Sequence, residues 1–180
     1  VIRVGNYRCI PVSTPDLDFL FNNYQSPEDA IKYALDNEYT YFFIDQFGKV
    51  HQQFDLSRWG YHAGQSLCPV TKRTAVSTKY VGIEIACGGK LVNGKTWFGQ
   101  HVMPININKT KTGEWQKFTA LQEIALLDLC VWLSFHGVSP DLILGHEEVT
   151  TRKDDPGGCL SCSLSEFRNK VKQGLMNWKK

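Results

Sequence analysis

The densest set of residues able to do chemistry lies between positions 145 and 158. It holds His146, Lys153, Asp154 and Asp155, and it closes with Pro156, Gly157 and Gly158. A His and an Asp in one loop can ligate a metal, and a Lys beside them can stabilise a developing oxyanion. A solvated turn of mixed charge would have the same composition, and spacing alone leaves both readings open.

A second set joins Trp59, His62, Ala63 and Gly64. An aromatic, an imidazole and two small residues can line a ligand groove; a His satisfied within the fold is the plainer alternative. Glu84 is the third candidate, because it interrupts the apolar run from Val81 to Ala86. A carboxylate buried without partners is costly. Either it faces a polar site or the strand is half exposed. In the first case burial raises its pKa, which suits a general base. His136 ends a helix, where an imidazolium suits the dipole. His101 has a weak case, and His51 is expected to face solvent.

Six cysteines stand at 9, 68, 87, 130, 159 and 162. Their density is far below that of a disulfide scaffold, and spacing does not choose a pairing. Cys130 lies in an apolar helical run and is expected as a buried free thiol. Cys159 and Cys162 form one Cys-x-x-Cys, compatible with half a zinc site, a redox pair, a local disulfide or chance.

These residues need elements to hold them. A strand is expected over 7–12. A helix opens at Ser26 with Pro27 at its first position and Glu28 and Asp29 in its first turn. Residues 39–45 are aromatic and β-branched, and with 49–54 they suggest a hairpin across Gln46, Phe47 and Gly48. A strand over 81–86 follows. Residues 88–115, rich in Gly, Asn, Lys and Thr, read mainly as an irregular excursion. Residues 120–135 form a long helix, apolar around most of its girth. A short buried strand is expected over 141–144. Ser163 and Glu166 have capping-box spacing and open a final amphipathic helix. The mixture points to an α/β fold, a central mixed sheet with helices packed around it.

The chain has 180 residues, which fits one domain over 1–180. Its net charge of +2 argues against a nucleic-acid binder. No apolar run approaches the roughly 18 residues that a membrane span needs. The start of the chain has neither the basic head nor the apolar stretch of a signal peptide.

Taken in order, these clusters form a pattern: the 41–50 hairpin, Trp59 with His62 to Gly64, Val81 to Ile85 around Glu84, Gly145 with His146, and Lys153 with Asp155, Pro156 and Gly157. The pattern resembles the zinc-dependent N-acetylmuramoyl-L-alanine amidases that share a fold with peptidoglycan recognition proteins. The resemblance runs from about residue 7 to the final helix. It implies a glycopeptide groove with one zinc at its floor, and hydrolysis of the amide between N-acetylmuramic acid and L-alanine. His146 and Asp155 would be zinc ligands. Lys153 would steady the oxyanion, and Glu84 would take the proton from the attacking water. Trp59 and His62 would meet the substrate, with Gly60 and Tyr61 standing between them. Thr40 stands where some relatives place a substrate-contacting Tyr.

The family's first zinc ligand is a His at the end of the first strand, and residues 1–50 hold no His. The resemblance brings Cys9 to that place, with Pro15 where relatives often carry a proline. A thiolate is a competent zinc ligand, but it leaves the site neutral where two His and one Asp leave a net charge of +1. A neutral site is a weaker Lewis acid. Two other readings stand beside the amidase. One is a metal-free binding module of the same fold that holds peptidoglycan fragments or another ligand. The other is a thiol redox protein using Cys159 and Cys162. The expected partner is peptidoglycan or a muropeptide, with no nucleic acid and no transmembrane segment, acting as a monomer. Cell-wall action would suit a secreted, periplasmic or phage-released, endolysin-like chain.

Overall fold

The computed structural model describes residues 2–6, 40–53, 55–57 and 60–178. Cys9, Trp59, the strand expected over 7–12 and the helix expected from Ser26 lie outside the described residues.

The main sheet has strand order β1–β4–β2–β3, with β1 Ile2–Asn6, β2 Phe42–Ile44, β3 Val50–Gln52 and β4 Ile83–Cys87. β4 pairs in parallel with β1 and β2, and β2 pairs antiparallel with β3. The strand beside β4 is therefore Ile2–Asn6, upstream of the expected 7–12. Its apolar residues Ile2 and Val4 fall opposite Ile83 and Ile85.

The hairpin forms as expected, and one side chain shapes its turn. Asp45 Oδ1 accepts the N–H groups of Phe47 and Lys49 at 2.9 and 3.0 Å. Its Oδ2 lies 3.0 Å from His51 Nε2, so His51 is paired rather than simply facing solvent. Gly48 has φ 79°, and a Cβ there would stand 2.6 Å from the Leu121 carbonyl oxygen. Only glycine meets both demands.

β4 is buried along its whole length. Ile83, Ile85 and Cys87 join the main core with Phe42, Ile44, Leu126, Leu129, Leu133 and Phe167. Strand side chains alternate, so Glu84 and Ala86 face the other side. A second, smaller cluster joins Ala63, Cys68, Val76, Leu144 and Val149. Helix α1, Ala120–Phe135, matches its expected range. Its reciprocal cap pairs Thr119 Oγ1 with the Gln122 N–H at 3.1 Å and Gln122 Oε1 with the Thr119 N–H at 3.0 Å. Gln122 Nε2 then donates to the Ala86 carbonyl at 2.7 Å, which fixes the helix to β4. Cys130 is buried and free, and burial pushes its thiol up to about 12.

Two expectations are corrected. The 88–115 excursion contains an antiparallel sheet, β5–β7–β6, from Lys90–Leu91, Ile107–Thr110 and Gly113–Gln116. These strands are short and mostly half exposed, with Trp115 and Leu91 their buried residues, so no apolar alternation announces them. The strand expected over 141–144 is a 3-10 turn, Pro140–Leu142, followed by a single parallel bridge between Ile2 and Gly145. Pro140 presets φ for the turn and offers no N–H to a ladder. The short helix α2, His146–Val149, and the long α3, Leu164–Trp178, complete the described helices. None of them is long and apolar enough to cross a membrane.

The cap predicts a measurable cost. Thr119 Oγ1 also donates to the Gln46 carbonyl at 3.1 Å, tying helix to hairpin. Thr119→Ala should destabilise the chain by about 1–2 kcal/mol, read as a lower urea midpoint with an unchanged slope. Thr119→Ser should retain most of the loss.

Candidate active site

The loop after the Gly145 bridge carries three of the expected site residues, His146, Lys153 and Asp155, and brings the first and last together. His146 opens α2 and is 4% exposed. Its Nδ1 lies 3.3 Å from Asp155 Oδ2. Main-chain geometry brings them together, since the Glu147 N–H donates to the Asp155 carbonyl at 2.9 Å. Glu148 fastens the start of the loop. Its Oε2 accepts the Gly145 N–H at 2.9 Å and pairs with Arg168 Nη2 from α3. Arg168 Nε also donates to the Ile143 carbonyl at 2.7 Å.

The small sheet braces the far end of the loop. A Cβ on Gly157 or Gly158 would come within 2.5 Å of the Trp115 indole, so both positions require glycine against that ring. Asn108 Nδ2 donates to the Gly158 carbonyl at 2.8 Å, and the Phe118 N–H to the Cys159 carbonyl at 2.9 Å. Asp154 pairs with Lys90 at 2.8 Å and so points into the brace. Lys153 is exposed, and no carboxylate among the described residues lies within ion-pair range of it.

His62 reaches the site from another direction. It is 1% exposed, and its Nδ1 lies 2.8 Å from the Gly60 carbonyl. A carbonyl only accepts, so Nδ1 carries the proton of this bond. The ring sits against Gly82, where a Cβ would fall 2.5 Å from His62 Cγ. Gly82 precedes Glu84 by two positions, so the pleat puts His62 on the side of β4 that Glu84 faces. Glu84 itself is 3% exposed, in register with Arg3 of β1 and Phe43 of β2. Two links strap 62–67 to the His146 loop. The Leu67 N–H donates to the Val149 carbonyl at 2.8 Å, and Arg152 Nη2 donates to the Gln65 carbonyl at 2.9 Å.

Among the cavities on the described surface, two measure about 440 Å³ each. One is lined by Tyr61, Gly64, Gln65, Ser77 and Thr78, next to His62. The other, at the start of β1 and β4, is lined by none of His62, Glu84, His146, Lys153 or Asp155. The first is the groove candidate. Thr40 is fully buried and donates its hydroxyl to the Phe42 carbonyl at 3.2 Å, a backbone role within the strand.

The His146–Asp155 geometry bears on a metal. Two donors on a tetrahedral zinc, each about 2.0–2.1 Å from it, lie about 3.3–3.4 Å apart. The observed 3.3 Å between Nδ1 and Oδ2 fits that edge. Among the described residues, no group of three His, Cys, Asp or Glu side chains is placed to hold a metal.

Sequence patterns gave no sign of Glu147, which reads as one more charge in a charged turn. Its Oε2 is buried with no hydrogen-bond partner among the described residues. Burial pushes its carboxyl up to about 7, helped by Asp155 and Glu148 and opposed by the N–H groups of Glu147 and Gly157. A carboxyl raised on folding stabilises the chain fully below its unfolded pKa, and that contribution fades as pH rises through the folded value. Stability of the chelator-treated chain should therefore fall between about pH 4.5 and about pH 7. Glu147→Gln should flatten that limb in thermal melts across pH; an unchanged limb would assign it to another group.

The sequence profile of N-acetylmuramoyl-L-alanine amidases matches residues 13–158, a span that includes Glu84, His146 and Asp155. No curated protein sequence matches the chain significantly. The mixed sheet, the His146–Asp155 pair and this match over most of the chain agree, and the protein belongs to the N-acetylmuramoyl-L-alanine amidase family of peptidoglycan hydrolases.

Proposed function

We propose that the chain cleaves the amide between N-acetylmuramic acid and L-alanine, with a single zinc held by His146, Asp155 and Cys9. The observation that carries this reading is the 3.3 Å approach of His146 Nδ1 to Asp155 Oδ2 inside the span matched by the family. A bound zinc would supply a water of lowered pKa and polarise the scissile carbonyl. Glu84, buried in mid-strand, takes the proton of the attacking water and passes it to the leaving amine. Lys153, exposed in the same loop, meets the oxyanion as it forms. The groove beside His62 holds the glycopeptide, and the His62 ring is fixed by its Nδ1–H bond to the Gly60 carbonyl.

Four variants separate these roles. Glu84→Gln should fold, keep its metal and bind muropeptide, yet lose most turnover. Lys153→Ala should keep its metal and lose roughly 10²–10³ in rate, the usual cost of one oxyanion partner. Cys9→Ala should lose zinc in a metal analysis, and Cys9→His should keep it. A purified chain that holds muropeptide with no zinc and no turnover would be a binding module instead. Full turnover in Glu84→Gln or Lys153→Ala would remove that residue from the mechanism.

A further inference from the structure

Cys87 and Cys159 are 72 residues apart in sequence and meet in the core. Cys87 closes β4, and Cys159 closes the 3-10 turn Gly157–Cys159 that follows Asp155. Their sulfurs lie 4.0 Å apart, and the two residues are 1% and 0% exposed. The Cys87 thiol also lies 3.4 Å from the Gln116 carbonyl, and Gln116 ends the strand that braces the loop. A disulfide needs its sulfurs about 2.05 Å apart, so the pair must close by about 2 Å. The thiol in contact with Cys159 is thus on β4, whereas Cys162 is its neighbour in the Cys-x-x-Cys.

We propose that Cys87 and Cys159 are a disulfide-forming pair whose oxidation staples the loop of Asp155 to the strand of Glu84. The oxidant is a small disulfide such as glutathione disulfide. Both thiols are buried, so entry is through Cys162, the half-buried end of the same Cys-Leu-Ser-Cys turn. The Cys162 thiolate attacks glutathione disulfide, releases one glutathione thiolate and keeps the other half as a mixed disulfide. Cys159 displaces that half, giving Cys159–Cys162. Cys87 then attacks Cys159, forming Cys87–Cys159 and returning Cys162 as a thiol. In sum, two protein thiols lose two protons and two electrons, and one glutathione disulfide becomes two glutathione thiols. The device is independent of zinc and of amide hydrolysis, so it stands or falls apart from the proposed activity.

The test uses the full chain, incubated with oxidised or reduced glutathione, alkylated in denaturant and mapped without reduction. In the oxidised sample the peptides carrying Cys87 and Cys159 should be linked, with Cys162 alkylated. The thermal midpoint should rise by roughly 5–10 °C over the reduced sample. Cys87→Ser and Cys159→Ser should each abolish the link and the rise. Cys162→Ser should slow the linking several-fold without changing the product. Cys87 fully alkylated after oxidation of the parent chain, or a Cys159–Cys162 link alone, would overturn the proposal. That mapping needs no variant to fold. Linking of Cys162→Ser at the parent's rate would overturn the entry route.

Discussion

The direction in which β4 faces governs the rest of the molecule. Its odd-numbered residues Ile83, Ile85 and Cys87 are committed to the core shared with α1 and α3. The pleat then has no choice but to present Glu84 on the opposite side. A slip of one residue would drive the carboxylate among Leu126 and Leu129 and turn two isoleucines outward. The cost of an unpaired buried charge makes that slip prohibitive. Both neighbouring strands hold the register, Ile2 and Phe42 each lying opposite Ile83. The choice also reaches beyond the strand. Gly82 leaves the space that the His62 ring fills, so one pleat positions a carboxylate and an imidazole together.

The second ingredient is a loop held by the elements around it. Residues 145–159 contain one short turn of helix and one 3-10 turn, too little regular structure to keep a shape alone. Glu148 and Arg168 tie the start of the loop to α3. Trp115 and Asn108 tie its end to the small sheet, and Arg152 ties its middle to Gln65. These fastenings come from three separate parts of the chain. The 3.3 Å between His146 and Asp155 is therefore set by tertiary structure rather than by the nine positions that separate them in sequence.

What could be read in advance follows from the range of the forces involved. The range of α1 was legible because its residues are apolar around most of the girth, a local property, while the Thr119 and Gln122 cap emerged only in the structure. The hairpin was legible because an aromatic strand and a Gly48 turn lie side by side. His146, Asp155, Lys153 and Glu84 stood out by residue type, and the order of the motifs pointed to the family later matched over 13–158. The small sheet was hidden, because its strands bury little and earn their order from Trp115 packing on a distant glycine pair. The described first strand, Ile2–Asn6, went unread for a related reason. A parallel strand is identified by its neighbours, and the partner of Ile2–Asn6 lies some eighty positions away. Glu147 and the contact between Cys87 and Cys159 are likewise products of tertiary approach, with no local pattern to announce them.

The packing of Trp115 against Gly157 and Gly158 has a consequence for how this chain can diverge. The two glycines and the indole share one fixed volume. A side chain gained at 158 must be matched by volume surrendered at 115 and at Thr110, so these positions should drift as a linked group, while Gly157 is held as glycine by its φ of 46° as well. Relatives with smaller residues at 110 and 115 would be free to carry alanine or serine at 158. Sequence variation across these positions would then report a steric exchange, one that could pass for selection on the neighbouring aspartate.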